Sequence, residues 1–314
     1  MSVATQQRAA SPPAVKAQAA ARRKRILNEN LAGFGFLAPQ LIGLLVFMLF
    51  PLGFALVLSF MHWDGFGTQS FAGLENFRQV FSDPRLQQSA VNTVWFTVLQ
   101  VPGTMISAFT VAFMLQRSGK WKPFYRTFYF APVVTSSVAV AVIWLWLFNP
   151  DISPINTFLK GIGLPSPNWL QDPAFMLPAF AIVGIWHGMG YQVVMFTAGL
   201  DNIPRSMLEA AEIDGAGEWQ KLWKITLPLL SPTLFFLTIT SIITSFQVFD
   251  IVFVFMGTNA PDAATTIVYE IVRLGFREFN FGVASALAVC LFVGLLALTG
   301  VQMAAQKKWV HYTE

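Results

Sequence analysis

The chain is poor in charge. Only 11% of its 314 residues are Asp, Glu, Lys or Arg, while 55% are hydrophobic; a soluble domain carries about 25% charged residues, so this composition excludes an ordinary water-exposed surface. There is one cysteine, Cys290, which rules out an internal disulfide and a thiolate metal centre and, inside an apolar run, reads as core packing. The three histidines, His62, His187 and His311, are scattered, and no His-Glu-x-x-His or Gly-x-Ser-x-Gly segment occurs. Gly119-Lys120 is the sole Gly-Lys pair, but Trp121 follows it and Met114 stands where a phosphate-cradling loop needs its first glycine. These absences leave no catalytic site, no metal site and no cofactor site, and energy for any transport must come from a partner or an ion gradient.

Acids are also missing from the first 28 residues, which are rich in Ala, Gln, Ser and Arg. A transit peptide or a twin-arginine signal built on Arg22-Arg23 has a similar composition. The apolar run that follows is far longer than a signal-peptide core, so residues 1–30 read as a disordered basic tail held near anionic lipid. The net charge of +4 is then a matter of membrane topology, not a nucleic-acid footprint.

What the chain has instead is long uncharged runs. Six intervals carry no charge, 30–63, 86–116, 127–150, 173–200, 225–249 and 279–306, and about 20 apolar residues cross a bilayer core. Six membrane helices follow. Of the 20 Lys and Arg residues, 15 fall in the N-terminal tail, the 116–126 loop, the 201–230 loop and the C-terminal tail. The remaining five are Arg78, Arg85, Lys160, Arg273 and Arg277. The positive-inside rule makes both termini and the 201–230 loop cytoplasmic.

That loop is the most informative segment. Pro204 suits a first helical turn, Met207, Leu208 and Ala211 share a face, and Asp214-Gly215 reads as a helix stop. A second short helix from Gly217 places Trp219, Leu222 and Trp223 together, with Glu218, Lys221 and Lys224 turned elsewhere. Pro228 and Pro232 mark the break before the next span. Spelled Glu209-Ala210-Ala211, three residues, Gly215, nine residues, Ile225-x-Leu227-Pro228, the segment resembles the EAA signature of the membrane subunits of binding-protein-dependent ABC importers. Its approach, Ala198 to Pro204, and Asp214-Gly215-Ala216 resemble the carbohydrate-uptake branch.

The resemblance implies an all-α polytopic membrane protein with the MetI-like permease fold. Residues 1–30 would be the tail, 31–306 a six-helix domain containing the 201–231 coupling loop, and 307–314 a cytoplasmic tail. It implies that Glu209, Ala210, Ala211, Asp214, Gly215, Ala216, Trp219 and Trp223 dock on a separate ATPase, which uses the ATP. It further implies a second permease subunit, two ATPase subunits, an extracytoplasmic substrate-binding protein, and residence in a bacterial inner membrane.

Polar residues within spans are tolerated only against protein or water, so they nominate a solute path. Asp250, Gln247 and Ser245 near the end of the fifth span, and Tyr191 and Gln192 on the fourth, are the candidates. The fifth helix is expected to start near Pro232 and continue past Asp250. Thr238, Ser241 and Ser245 make a hydroxyl stripe, and Gly184 and Gly188 let a helix approach closely. The loops 62–89, 149–173 and 258–282 are too short for a receptor domain. Pro165 to Leu170 again resembles sugar permeases, whereas Gly257-Thr258-Asn259-Ala260-Pro261 departs from their usual Gly-Gly-Pro. The expected function is half of the pathway of an ATP-driven sugar or oligosaccharide importer. The alternatives are a gradient-driven carrier, for which no inverted repeat is visible, and an importer of another solute.

Overall fold

The structure is a computed structural model, and it describes residue 29, residues 33–116 and residues 119–307. The basic tail and the last seven residues lie outside the described residues apart from Glu29. The chain divides into two compact units, Met1–Val57 and Leu58–Glu314. The first holds most of helix α1 (Gly33–Leu58), whose high hydropathy and almost entirely exposed side chains suit a lipid-facing span.

In the second unit a two-stranded hairpin, β1 (Met61–His62) with β2 (Ser70–Phe71), leads into α2 (Glu75–Ser82). There follow α3 (Pro84–Leu115), α4 (Lys122–Val134), α5 (Ser137–Leu147), α6 (Pro154–Gly161) and α7 (Pro173–Asp201). Next come α8 (Arg205–Ile213), α9 (Glu218–Lys221), α10 (Ser231–Phe246), α11 (Asp250–Met256), α12 (Ile267–Phe276) and α13 (Phe281–Gln306). Several starts are written in the sequence as a capping residue followed by proline. Asp83, Ser153 and Asp172 accept backbone N–H groups of the first turn, at 2.9, 3.0 and 3.0 Å, and each precedes a proline at the first helical position.

Helices α3 and α7 pack along much of their length and form the spine of this unit. Close approach is possible where side chains are small. A Cβ on Gly190 of α7 would lie 2.2 Å from the Tyr129 carbonyl of α4, so only glycine fits this crossing. The predicted glycine contacts are present too, since Gly184 and Gly188 face Gln100 of α3. Three apolar clusters fill the unit: one around Phe148, Phe180 and Val252, one around Phe196, Leu230 and Leu237, and one around Leu86, Leu274 and Leu287. Cys290 borders the third cluster, as the packing role requires.

Among the described residues five helices are long and apolar enough to cross a membrane, and the sixth expected span is a bent pair, α4 and α5, meeting at 95°. Charge-free length located this span but could not report the bend. Pro132 lacks the N–H that would reach back into the preceding turn, and Thr135 N–H turns instead to the Pro132 carbonyl at 3.1 Å. The fifth span also departs from expectation, because the helix does not run unbroken past Asp250. It stops at Phe246 and resumes at Asp250. The break closes on short-range bonds, Gln247 N–H to Thr244 O at 3.2 Å and Val248 N–H to Ser245 O at 3.3 Å. The freed Val248 carbonyl accepts the Thr266 hydroxyl at 3.0 Å.

Thr266 is fully buried, so Thr266→Val should leave that carbonyl unpaired and cost about 1–3 kcal/mol. A thermal unfolding scan in detergent should show the drop; an unchanged midpoint would mean the break does not depend on this hydroxyl.

Candidate functional site

Two regions concentrate the polar and exposed features, and the first is the segment between α7 and α10. Helix α8 ends in a Schellman motif: Gly215 N–H donates to Glu212 O at 3.0 Å and Ala216 N–H to Ala211 O at 2.9 Å. The motif needs a left-handed residue, and Gly215 supplies it with φ +78°. Gly217 N–H is taken by the Gln220 side chain at 3.1 Å at the head of α9. Helix α9 is only four residues long and passes into a π-helical turn, Leu222–Thr226, then Leu227–Leu229.

Lys221 joins the two short helices. Its Nζ lies 2.6 Å from Glu212 and 2.5 Å from Glu218. The carboxylates of Glu212, first, and Glu218 hold its ammonium above the usual lysine range. Expected to turn elsewhere, Lys221 is therefore the clamp inside the segment, and its side chain is mostly covered. Trp219 and Trp223 stack edge to face with centroids 5.7 Å apart, as their spacing predicted. Together with Leu222 and Leu227 they border a groove of about 800 Å³ against Pro102, Met105, Phe109, Leu234 and Thr238. At the tip, Ile213 is 87% exposed and Trp219 70%. Glu209 is also exposed on α8. The segment is thus polar with an apolar, exposed tip, and it is rigidified by a capped turn and a doubly paired lysine.

The second region is where the two broken spans meet. Ser137, the first residue of α5, donates its hydroxyl to the Asp250 carboxylate at the first residue of α11. His187 of α7 donates Nε2–H to the Thr135 carbonyl at 3.3 Å, at the bend. Asp250, Gln247 and Tyr191 are exposed in the isolated chain. Irregular backbone at membrane depth is tolerated only against protein or a water-filled cavity, so this junction faces one or the other rather than lipid. Thr135, Ser137 and His187 belong to it and were not among the sequence candidates. No periodicity predicted a bend there, although the Thr-Ser-Ser run after Pro132 was a readable signal.

The other two path candidates sit elsewhere. Gln192 is buried and donates Nε2–H to Ser241 Oγ at 2.7 Å. Ser245 is buried and donates to Thr97 Oγ1 at 2.9 Å. They tie α7 and α3 to α10 rather than facing the junction. Buried Oε1 of Gln192 has no hydrogen-bond partner among the described residues. On the loops, Trp169 Nε1–H donates to Asn156 Oδ1 at 2.8 Å, folding the Pro165–Leu170 segment onto α6. Where the sequence departs from Gly-Gly-Pro, Tyr269 closes the turn, accepting from Ala260 N–H at 3.0 Å and donating to Gly257 O at 3.1 Å. No group of three metal-ligating side chains occurs among the described residues.

Long apolar helices, two of the spans interrupted, and a rigid pair of short helices in one loop define a polytopic membrane protein. Residues 100–311 match the family of binding-protein-dependent transport system inner membrane components. The chain belongs to that family, and this sets aside the gradient-driven carrier. It is 34% identical over 301 residues to the probable ABC transporter permease protein YesP of Bacillus subtilis, covering 94% of this chain and 97% of that one. It is 36% identical over 289 residues to the sn-glycerol-3-phosphate transport system permease protein UgpA of Agrobacterium fabrum, covering 91% and 98%. A chain in the crystal structure of a bacterial ABC transporter involved in the import of the acidic polysaccharide alginate superposes with TM-score 0.77 at 22% identity. That match covers 91% of this chain and 99% of the other. The MetNI methionine ABC transporter matches with TM-score 0.53 at 16% identity, over 72% and 96%. The expected fold, the MetI-like permease, is thereby established, as is residence in an inner membrane.

Gly215→Val tests the turn between α8 and α9 locally. A Cβ there meets nothing within 4 Å, so the cost is the left-handed backbone alone, roughly 1–2 kcal/mol. Hydrogen exchange of residues 211–221 should accelerate several-fold, and Gly215→Asn should lose less; equal exchange in all three proteins would show that the turn is not held by its φ.

Proposed function

We propose that this chain forms half of the pathway of an ATP-driven importer for a sugar or oligosaccharide. In this reading α8 and α9 dock on a separate ATPase, while the junction of the broken spans lies on the solute path. The observation that carries it is the docking element: a capped, lysine-clamped pair of short helices presenting Ile213, Trp219 and Glu209 outward. The matched family comprises binding-protein-dependent systems, which supports an assembly of two permease subunits, two ATPase subunits and an extracytoplasmic binding protein. The distribution of Lys and Arg supports a cytoplasmic position for both termini and for α8 and α9. The chain lacks a phosphate loop, so ATP is bound and hydrolysed by the partners and this subunit holds no cofactor. Closure of the ATPase pair would then move α8 and α9 as a rigid body and switch the path between its two sides.

A hydroxyl-rich solute fits the polar groups at the spans: Asp250, Gln247 and Ser137 at the junction, Tyr191 exposed on α7, and the free acceptor of Gln192 between helices. Its relatives and structural neighbours include systems for transport of sn-glycerol-3-phosphate and for import of the acidic polysaccharide alginate. Asp250 and Ser137 join the two half-helices, so a solute hydroxyl competing for that carboxylate would loosen α5 from α11.

The test is substrate-stimulated ATPase activity of the assembled complex in proteoliposomes. Glu209→Gln and Gly215→Val should each lower stimulation at least several-fold while assembly persists; normal stimulation in both variants would overturn the docking assignment.

A further inference from the structure

A charge cluster, buried at Glu270 and open at Arg85 and Glu278, sits at the end of the second unit opposite α8 and α9. Glu270, on α12, is fully buried, and its carboxylate lies 2.7 Å from the Arg273 guanidinium. Neither carboxylate oxygen makes an aligned hydrogen bond, nor do Nε and Nη2 of Arg273. The pair is thus held by charge more than by fitted geometry. Arg273 is shared, because its Nε lies 3.6 Å from Glu278. Glu278 in turn is 3.3 Å from Arg85 at the head of α3, and Arg85 is 3.2 Å from Asp83. Three carboxylates therefore divide two guanidiniums.

The cluster links elements far apart in sequence: the head of the second span, α12, and the link that enters the last span. Other ionisable groups near α12 have separate partners or none in this cluster. Arg277 on its C-terminal side bonds Thr258 O and Asn259, and Asp262 precedes it with its carbonyl bonded to Asn92. Of the two helices packed most closely on it, α3 brings Arg85, and α13 brings Val283, Ala284 and Leu287 with the Cys290 thiol. Glu278 is the member with an outlet. It also lines an open polar cavity of about 480 Å³ with His62, Trp63, Asp64 and Asn280.

We propose that Glu270 is a proton-binding site that decides how Arg273 is divided, so that a proton taken up there releases Arg273 to Glu278 and tightens the clasp between the heads of the second and last spans. Ionised, Glu270 holds Arg273 back, and Glu278 depends mainly on Arg85. Burial pushes the Glu270 carboxyl up to about 7, against the pull of Arg273, Arg85 and the neighbouring Thr265 hydroxyl and with help from Glu278. The sign follows from linkage. A carboxyl whose folded pKa is raised contributes stability that is complete below the ordinary value of 4.5 and is lost as pH rises through about 7. The clasp is therefore firmest in acid and loosens toward alkaline conditions. This holds independently of the coupling role proposed for α8 and α9.

Thermal midpoints of the purified protein in lipid nanodiscs, measured from pH 5 to pH 8.5, test it. The unmodified protein should lose several degrees as pH rises from 5 toward about 7 and level off above it. Glu270→Gln should flatten that transition. Glu278→Gln removes a charge that raises the Glu270 carboxyl, so the transition should move to lower pH, and Arg85→Gln should move it to higher pH. These two keep the test decisive should Glu270→Gln fail to fold. A cysteine at Phe279, which is exposed, reports the clasp directly in a Cys290→Ala background. Its labelling by an impermeant maleimide, normalised to the same cysteine in Glu270→Gln, should rise several-fold from pH 6 to pH 8. Coincident pH transitions in all the proteins, or a labelling ratio that does not change, would overturn the proposal.

Discussion

Everything in this chain answers to one constraint: in hydrocarbon, a backbone carbonyl or N–H without a partner costs several kcal/mol. A membrane helix satisfies its backbone internally, so the long α3, α7 and α13 need little else. Each interruption needs a substitute. At the fifth-span break the substitute is the Thr266 hydroxyl on Val248 O, and at the α4–α5 bend it is His187 on Thr135 O. The Ser137–Asp250 bond then joins the two interruptions. The polar residues of the spans are largely explained by these duties, and the junction is where a transport subunit can be both irregular and stable.

The same constraint explains the polar stripes that stay dry. Ser241 and Ser245 of α10 accept or donate toward Gln192 and Thr97, while Thr238 and Thr240 return their hydroxyls to their own helix at Leu234 O and Phe236 O. Small hydroxyls on these helices mainly serve packing, so Gln192 and Ser245 stand apart from Tyr191, Gln247 and Asp250, and a solute reaching them would have to separate α10 from α7 and α3.

Much of the architecture was legible in the sequence because lipid imposes a coarse rule. Charge-free length located the spans, and the glycine at 215 announced the turn. What stayed hidden depended on pairs distant in the chain. The stop at Phe246 and restart at Asp250 leave hydropathy unchanged, and Thr266 lies well beyond the break it supports. Lys221 looked like a solvated charge until its two carboxylates were in place. Glu270 sits in a loop by sequence, and only the packing of α12 against α3 and α13 buries it.

The central claim is that the apolar tip of α8 and α9 is the surface through which ATP hydrolysis on another subunit moves this one. The most direct measurement is photocrosslinking from a benzoylphenylalanine placed at Ile213, which is 87% exposed, in native membranes, with Ile162, which follows α6 and is also exposed, as the control at the opposite end. Crosslinks to an ATP-binding cassette subunit from position 213 and none from 162 are the predicted result; no ATPase adduct from 213, or adducts from both positions alike, would contradict the account.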